Sequence, residues 1–337
     1  MTEPTGDGAA IPAAGAPARA RAQRLGLVLM LGSVAAFAVM GAFVKDLREH
    51  GMSTVEVMVW RTAPGLPLVW LELRLRGVSL RPRRPRVVAL RTLLGCVAMS
   101  SNFWAVRHLA LVQHTVVHLT QPVFVALASP SLLRERTSNG ALAALGLAIA
   151  GACIVLLPSC HLGVSAVALT IAMPVLPGAA GLLSALASAL AHITLRLATA
   201  AELASRLDPG APADAPATVV FHFTATITVI GTVVGLLLGD FRALPGDLAL
   251  RGTASRVAAM AGMGLLGQLA LSSAYSRAQA PAIAIVGYAA IPISAGLDAW
   301  VWDAPVGLST AVGAVIMVAA GILLARARTP EISQGHG

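Results

Sequence analysis

LLGCVAMSS, residues 93–101, returns as LLGQLALSS at residues 265–273. Six of the nine positions are identical, at an offset of 172. Two more markers follow in the same order: Pro122 is matched by Pro292 and Gly151 by Gly321, both at an offset of 170. Helices rich in leucine, alanine and glycine resemble one another by chance. Three markers in one order at nearly one offset favour an internal repeat over that explanation.

Around these copies lie apolar runs of roughly 20 residues, the length a bilayer-crossing helix needs. Ten such spans are readable, near 25–44, 54–73, 87–107, 110–132, 139–158, 178–198, 217–238, 254–275, 281–301 and 306–325. The start of the sixth is the least defined, because residues 162–177 are apolar yet carry Pro174 and Pro177. Composition agrees: 57% of the 337 residues are hydrophobic and only 12% are charged, whereas soluble domains hold about 25% charged residues. The expected class is an all-α membrane protein. Spans three to five match spans eight to ten, so each half holds five helices. Five is odd, so the second half runs antiparallel to the first, as in many secondary transporters built from inverted repeats.

The basic residues set the sidedness. With a cytoplasmic N-terminus, the inner segments hold 16 of them, including Arg74, Arg76, Arg81, Arg83, Arg84, Arg134, Arg196 and Arg206. The outer segments hold six: Lys45, Arg48, Arg107, Arg242, Arg251 and Arg256. That is the direction of the positive-inside rule. An even number of spans puts both termini in the cytoplasm and the protein in the inner or plasma membrane. The expected units are a disordered cytoplasmic tail (1–24), a first repeat (25–158), a connecting segment (159–177), a second repeat (178–325) and a second tail (326–337). The formal charge of +9 therefore reflects topology, not nucleic-acid binding. Cys96, Cys153 and Cys160 show no CxxC or Cys/His spacing, so neither a zinc site nor a disulfide framework is expected.

The stretch LALVQHTVVHLTQPVFVALASPSLLRERTSNGALAALGLAIAGACIVLL (109–157) resembles the fourth and fifth helices of the EamA branch of the drug/metabolite transporter superfamily. The shared pattern is a mid-helix proline (Pro122), an aliphatic run, a Leu-x-x-Glu junction ending at Glu135, then a glycine-spaced last helix. The second copy has Pro292, Gly313 and Gly321 but lacks the glutamate, with Asp303 nearby instead. The resemblance implies ten helices in two EamA repeats and the movement of small metabolites. It names no substrate.

Polar side chains inside the spans are expensive and so mark cavities or partners. His114, His118 and Gln121 follow i, i+4, i+7 spacing, which puts them on one helical face, and Pro122 frees a backbone carbonyl one turn earlier. The stripe suits a cavity wall, with histidine able to carry a proton. The alternative is hydrogen bonding between helices. Arg61 and His118 both lie about 10 Å below the outer face by helix rise. At that depth an arginine can clamp a carboxylate or phosphate, or bond helix carbonyls. Asp298 is its candidate counter-charge. Arg91 lies near the inner end of the third span and suits either an inner vestibule or interfacial snorkelling. His222 and Tyr288, with His192 and Tyr275, fall in the inner third of their spans.

No P-loop, H-E-x-x-H or G-x-S-x-G motif is present, so no catalytic residue, metal or cofactor is expected and the chain reads as a non-enzyme. The expected activity is secondary transport of small polar metabolites, organic anions or amino-acid-like zwitterions, by alternating access. The candidate substrate-binding residues are Arg61, His114, His118, Gln121, His222, Tyr288 and Arg91. The expected partners are a small-molecule substrate and the lipid bilayer, with protons and a homodimeric copy left open. A membrane-embedded transferase acting on lipid intermediates is the alternative. It would need paired acids or a His/Asp constellation at a loop–membrane boundary, and none is found.

Overall fold

The computed structural model describes residues 16–109, 114, 117–135, 137–156, 175–207, 212–241, 251–303 and 307–326. Asp298 has its backbone described but not its side chain, so the expected Arg61–Asp298 relation lies outside the described residues, as do residues 1–15 and most of 159–177. The described residues are helical almost throughout. The helices are α1 (Ala16–Glu49), α2 (Thr54–Thr62), α3 (Gly65–Leu75), α4 (Pro85–His108), α5 (Gln121–Leu132), α6 (Asn139–Leu156) and α7 (Val175–Thr199). They continue with α8 (Ala201–Leu207), α9 (Pro216–Leu238), α10 (Arg251–Arg277), α11 (Ala280–Val286), α12 (Ala290–Trp302) and α13 (Leu308–Arg326). Among the described residues, five helical stretches are long and apolar enough to cross a membrane: Pro17–Glu49, Val175–Thr199, Pro216–Leu238, Thr253–Arg277 and Ala280–Val301.

Local chemistry sets the helix ends. α1 starts at Ala16, not at residue 25. Its first turns, APARARAQR, are strong helix formers with Pro17 in the first turn, where a missing N–H costs nothing. The expectation of a disordered tail up to residue 24 is corrected accordingly. α2 opens with a capping box, in which Glu56 N donates to Ser53 Oγ at 3.1 Å and Ser53 N to Glu56 Oε2 at 2.7 Å. The second span breaks at Ala63–Pro64 into α2 and α3, as a proline inside a helix demands. At the start of α4, Asp214 takes Arg83 N at 2.6 Å and Arg84 N at 3.2 Å. α9 stops at Gly239, whose φ of +62° is the left-handed cap that glycine adopts without penalty.

The helical course of the chain breaks just before Pro122 and just before Pro292. A turn at Leu119–Thr120 precedes α5, with Pro122 second in that helix. A 3-10 turn at Gly287–Ala289 precedes α12, with Pro292 third. Each proline thus sits in a first turn, where it is tolerated.

The three most extensive helix packings are α1 on α10, α4 on α7 and α6 on α13. Two buried serines tie the first two pairs. Ser33 Oγ donates to the Gly267 carbonyl and Ser184 Oγ to the Ala98 carbonyl, both at 2.8 Å. In the third pair, a methyl at Gly151 would lie 2.9 Å from the Gly313 carbonyl, so the backbones meet closely, as membrane helices do at small residues. Large apolar side chains stay outside: Leu237 and Trp300 are each 80% exposed and Val315 69%. In water that surface would be a liability. Against lipid tails it is the solvent-matched face.

Candidate functional site

A cavity of about 170 Å³ opens between α2, α4, α7, α9, α10 and the His118 segment. One water needs only about 10–15 Å³ on this measure, so the space suits a small solute. Two arginines line it, Arg61 from α2 and Arg91 from α4, and no aspartate or glutamate is among its described lining residues. A smaller space of about 20 Å³ shares Arg61, Phe223 and Gln268 with it.

The arginines are held differently. Arg61 Nη2 lies 3.5 Å from Met99 Sδ, a weak acceptor. Arg91 is 4% exposed, and its guanidinium carbon sits 4.4 Å over the Phe223 ring, a cation–π contact. Its Nε and Nη1 are buried without a hydrogen-bond partner among the described residues, as is Gln268 Oε1. Glycine at 95 makes room for it: a methyl there would lie 2.5 Å from Arg91 Nη1 and 2.7 Å from the Phe223 ring. Gly95 and Met99 lie on the same helix, so both guanidinium groups stand against α4, Arg91 beside Gly95 and Arg61 beside the Met99 side chain. Two cations lining one cavity repel each other where little water screens them. An anion between them would reverse the sign.

The residues of the expected stripe fall in two polar groups beside this space. His118 lines the cavity and is exposed, with its ring centroid 5.5 Å from that of His114. His114 Nε2 donates to Asn102 Oδ1 at 2.9 Å. Gln121 Nε2 donates to His192 Nδ1 at 2.8 Å. An amide nitrogen only donates, so in this arrangement the ring proton of His192 sits on Nε2. The His192 ring stacks on Tyr275 at 5.0 Å. Asn102 and His192 both line the cavity, so His114 and Gln121 reach it through them.

The other two candidates hold helices together. His222 Nε2 donates to the Leu80 carbonyl at 2.9 Å, joining α9 to the α3–α4 loop, and it is not among the cavity-lining residues. Tyr288 donates its hydroxyl to the Leu119 carbonyl at 2.6 Å. Sequence reasoning missed Gln268, Asn102 and Ser188 as lining residues. Gln268 had a usable signal, because it stands where the first copy of the repeat has Cys96. Polarity in one copy only points to a use in that copy.

A second constellation lies apart from the cavity. Glu135 and Arg196 form a buried ion pair, with Arg196 Nε 2.5 Å from Glu135 Oε1. Arg196 Nη1 also donates to the Tyr275 carbonyl at 2.8 Å, and Glu135 Oε2 accepts Ala280 N at 2.9 Å. This one ion pair thus joins the α5–α6 junction, the end of α7, the end of α10 and the start of α11.

With this geometry in hand, the kinship is informative. Residues 24–157 match the model of the EamA-like transporter family. The chain is 27% identical over 303 residues to the pseudopaline exporter CntI of Pseudomonas aeruginosa, covering 90% of this chain and 96% of that protein. It is 23% identical to an uncharacterized transporter of Helicobacter pylori over 89% of this chain and 94% of that one. A solved crystal structure superposes with a TM-score of 0.66 over 91% of this chain and 97% of its own, at 16% identity, which speaks to fold alone. The apolar helices and this likeness support a multi-pass membrane protein.

Proposed function

We propose that the protein is a secondary transporter that exports small polar metabolites, organic anions or zwitterions, by alternating access. One observation carries the reading: a central cavity is lined by two arginines and two histidines, with no acid among its described lining residues. Arg61 is the primary anchor for a carboxylate. Arg91 and His118 complete the contact surface, while His114 and Gln121 orient Asn102 and His192. Export is the direction suggested by the name of the Pseudomonas relative.

The mechanism rests on two inverted five-helix repeats, 25–158 and 178–325. Exchanging each helix of one half for its counterpart turns the α1–α10 packing into the α7–α4 packing and leaves α6–α13 unchanged. The serine bonds obey the same exchange: Ser33 and Ser184 are on the first helices, and Gly267 and Ala98 are on the third helices of the opposite halves. Two halves related in this way can pack in two mirror-related arrangements, which expose a midplane site to each side in turn. The cavity lies at their junction. The charge asymmetry supports cytoplasmic termini in the inner membrane.

Net flux into proteoliposomes tests the proposal. Saturable flux of small carboxylates or zwitterions is expected. Flux confined to organic cations would overturn it.

A further inference from the structure

We infer that the solute carries two separate carboxylate groups, one held by Arg61 and the other by Arg91. This rests on the transport reading above and adds the number and spacing of the charges. Arg91 is the deciding residue. It is almost fully buried, lines the cavity, and has two guanidinium nitrogens without a hydrogen-bond partner among the described residues. A purely structural arginine in a membrane bundle caps carbonyls or pairs with an acid, as Arg196 does here with Glu135 and Tyr275. Among the described residues Arg91 makes no hydrogen bond at Nε or Nη1 and rests on the face of Phe223, which accepts a cation but satisfies no N–H in its plane.

The two forks come from different helices and have different neighbours on α4, Gly95 for Arg91 and the Met99 side chain for Arg61. A carboxylate paired bidentately with one fork leaves the other without a partner. Two carboxylates a few carbons apart can serve both. His118 and the His192 Nε2–H flank the path between them and suit the middle of such a molecule.

Calorimetric titration of the purified full-length protein with succinate, glutarate and adipate, each against its half-amide, tests this. The half-amide keeps size and hydrogen bonding but removes one charge. At least one diacid is expected to bind tenfold or more tightly than its half-amide. Arg91→Gln should lower the diacid to the half-amide level and leave the half-amide nearly unchanged. Should Arg91→Gln fail to fold, Gly95→Ala displaces the same guanidinium, and the wild-type comparison decides by itself. Equal binding of diacid and half-amide would overturn the two-anchor inference and leave anion transport standing. Inorganic sulfate binding as tightly as the best diacid would overturn it too, since charge rather than spacing would then be read. Binding of putrescine with no binding of any acid would remove both readings.

Discussion

The Tyr288 hydroxyl donates to the Leu119 carbonyl across 2.6 Å, linking the turn before α5 to the 3-10 turn before α12. The turn before α5 frees carbonyls that no intrahelical N–H can reach. Tyr288, itself in the 3-10 turn before α12, supplies the missing donor. The break before α5 is thus satisfied by a side chain from the break before α12. Tyr288→Phe keeps the ring and leaves the carbonyl orphaned, which costs about 1–3 kcal/mol. A lower thermal midpoint of the purified variant is expected. An unchanged midpoint would show that water satisfies Leu119 instead.

Glu135 and Arg196 predict non-additive stability. Removing one partner of a buried pair leaves an uncompensated charge and typically costs about 3–5 kcal/mol, while replacing both with apolar groups costs far less. Glu135→Gln and Arg196→Met should therefore each lower the thermal midpoint more than the double variant does. Glutamate here also accepts Ala280 N, so the double variant stays somewhat below wild type. Additive losses in the double-mutant cycle would mean that the two side chains act independently.

Much of this arrangement is readable in the sequence, and the part that is not has physical causes. Hydrophobic runs mark the helices because lipid demands internally bonded backbone. Arg61, Arg91 and His118 stand out because charge or polarity at their depth is costly. Arg196 does not stand out: at the end of its span it reads as one more cytoplasmic cation, and only the fold brings Glu135, 61 residues away, against it. Glu135 itself is visible as the end of a Leu-x-x-Glu junction, but not as a cap for α11. His222 misleads for the same reason. Its depth suits a cavity, yet the α3–α4 loop folds back to offer the Leu80 carbonyl. Linear depth says how costly a polar group is. It does not say which neighbour pays it back.

Sidedness is testable without a substrate. Glu49 and Arg206 are both exposed, the first as the last residue of α1 and the second near the end of α8. The charge asymmetry puts residue 49 outside and residue 206 inside. In a background without native cysteines, Glu49→Cys should react with an impermeant maleimide on intact cells. Arg206→Cys should react only after permeabilisation. The reverse pattern would invert the topology.

The charge of the solute turns on Arg61. Its described contact is a thioether, so replacing it costs the fold little hydrogen bonding. Its guanidinium keeps its charge and its planar fork. Arg61→Gln retains donors and removes the charge. Transport of the best anionic substrate in proteoliposomes should fall at least tenfold, equivalent to about 1.4 kcal/mol. Arg61→Lys restores the charge but not the bidentate geometry, so recovery should be partial. The same variants should keep a wild-type thermal midpoint in the absence of solute, which separates lost recognition from lost folding. Flux unchanged in Arg61→Gln would return Arg61 to a packing role beside Met99. Flux restored fully by lysine would show that the site reads a point charge and not a fork.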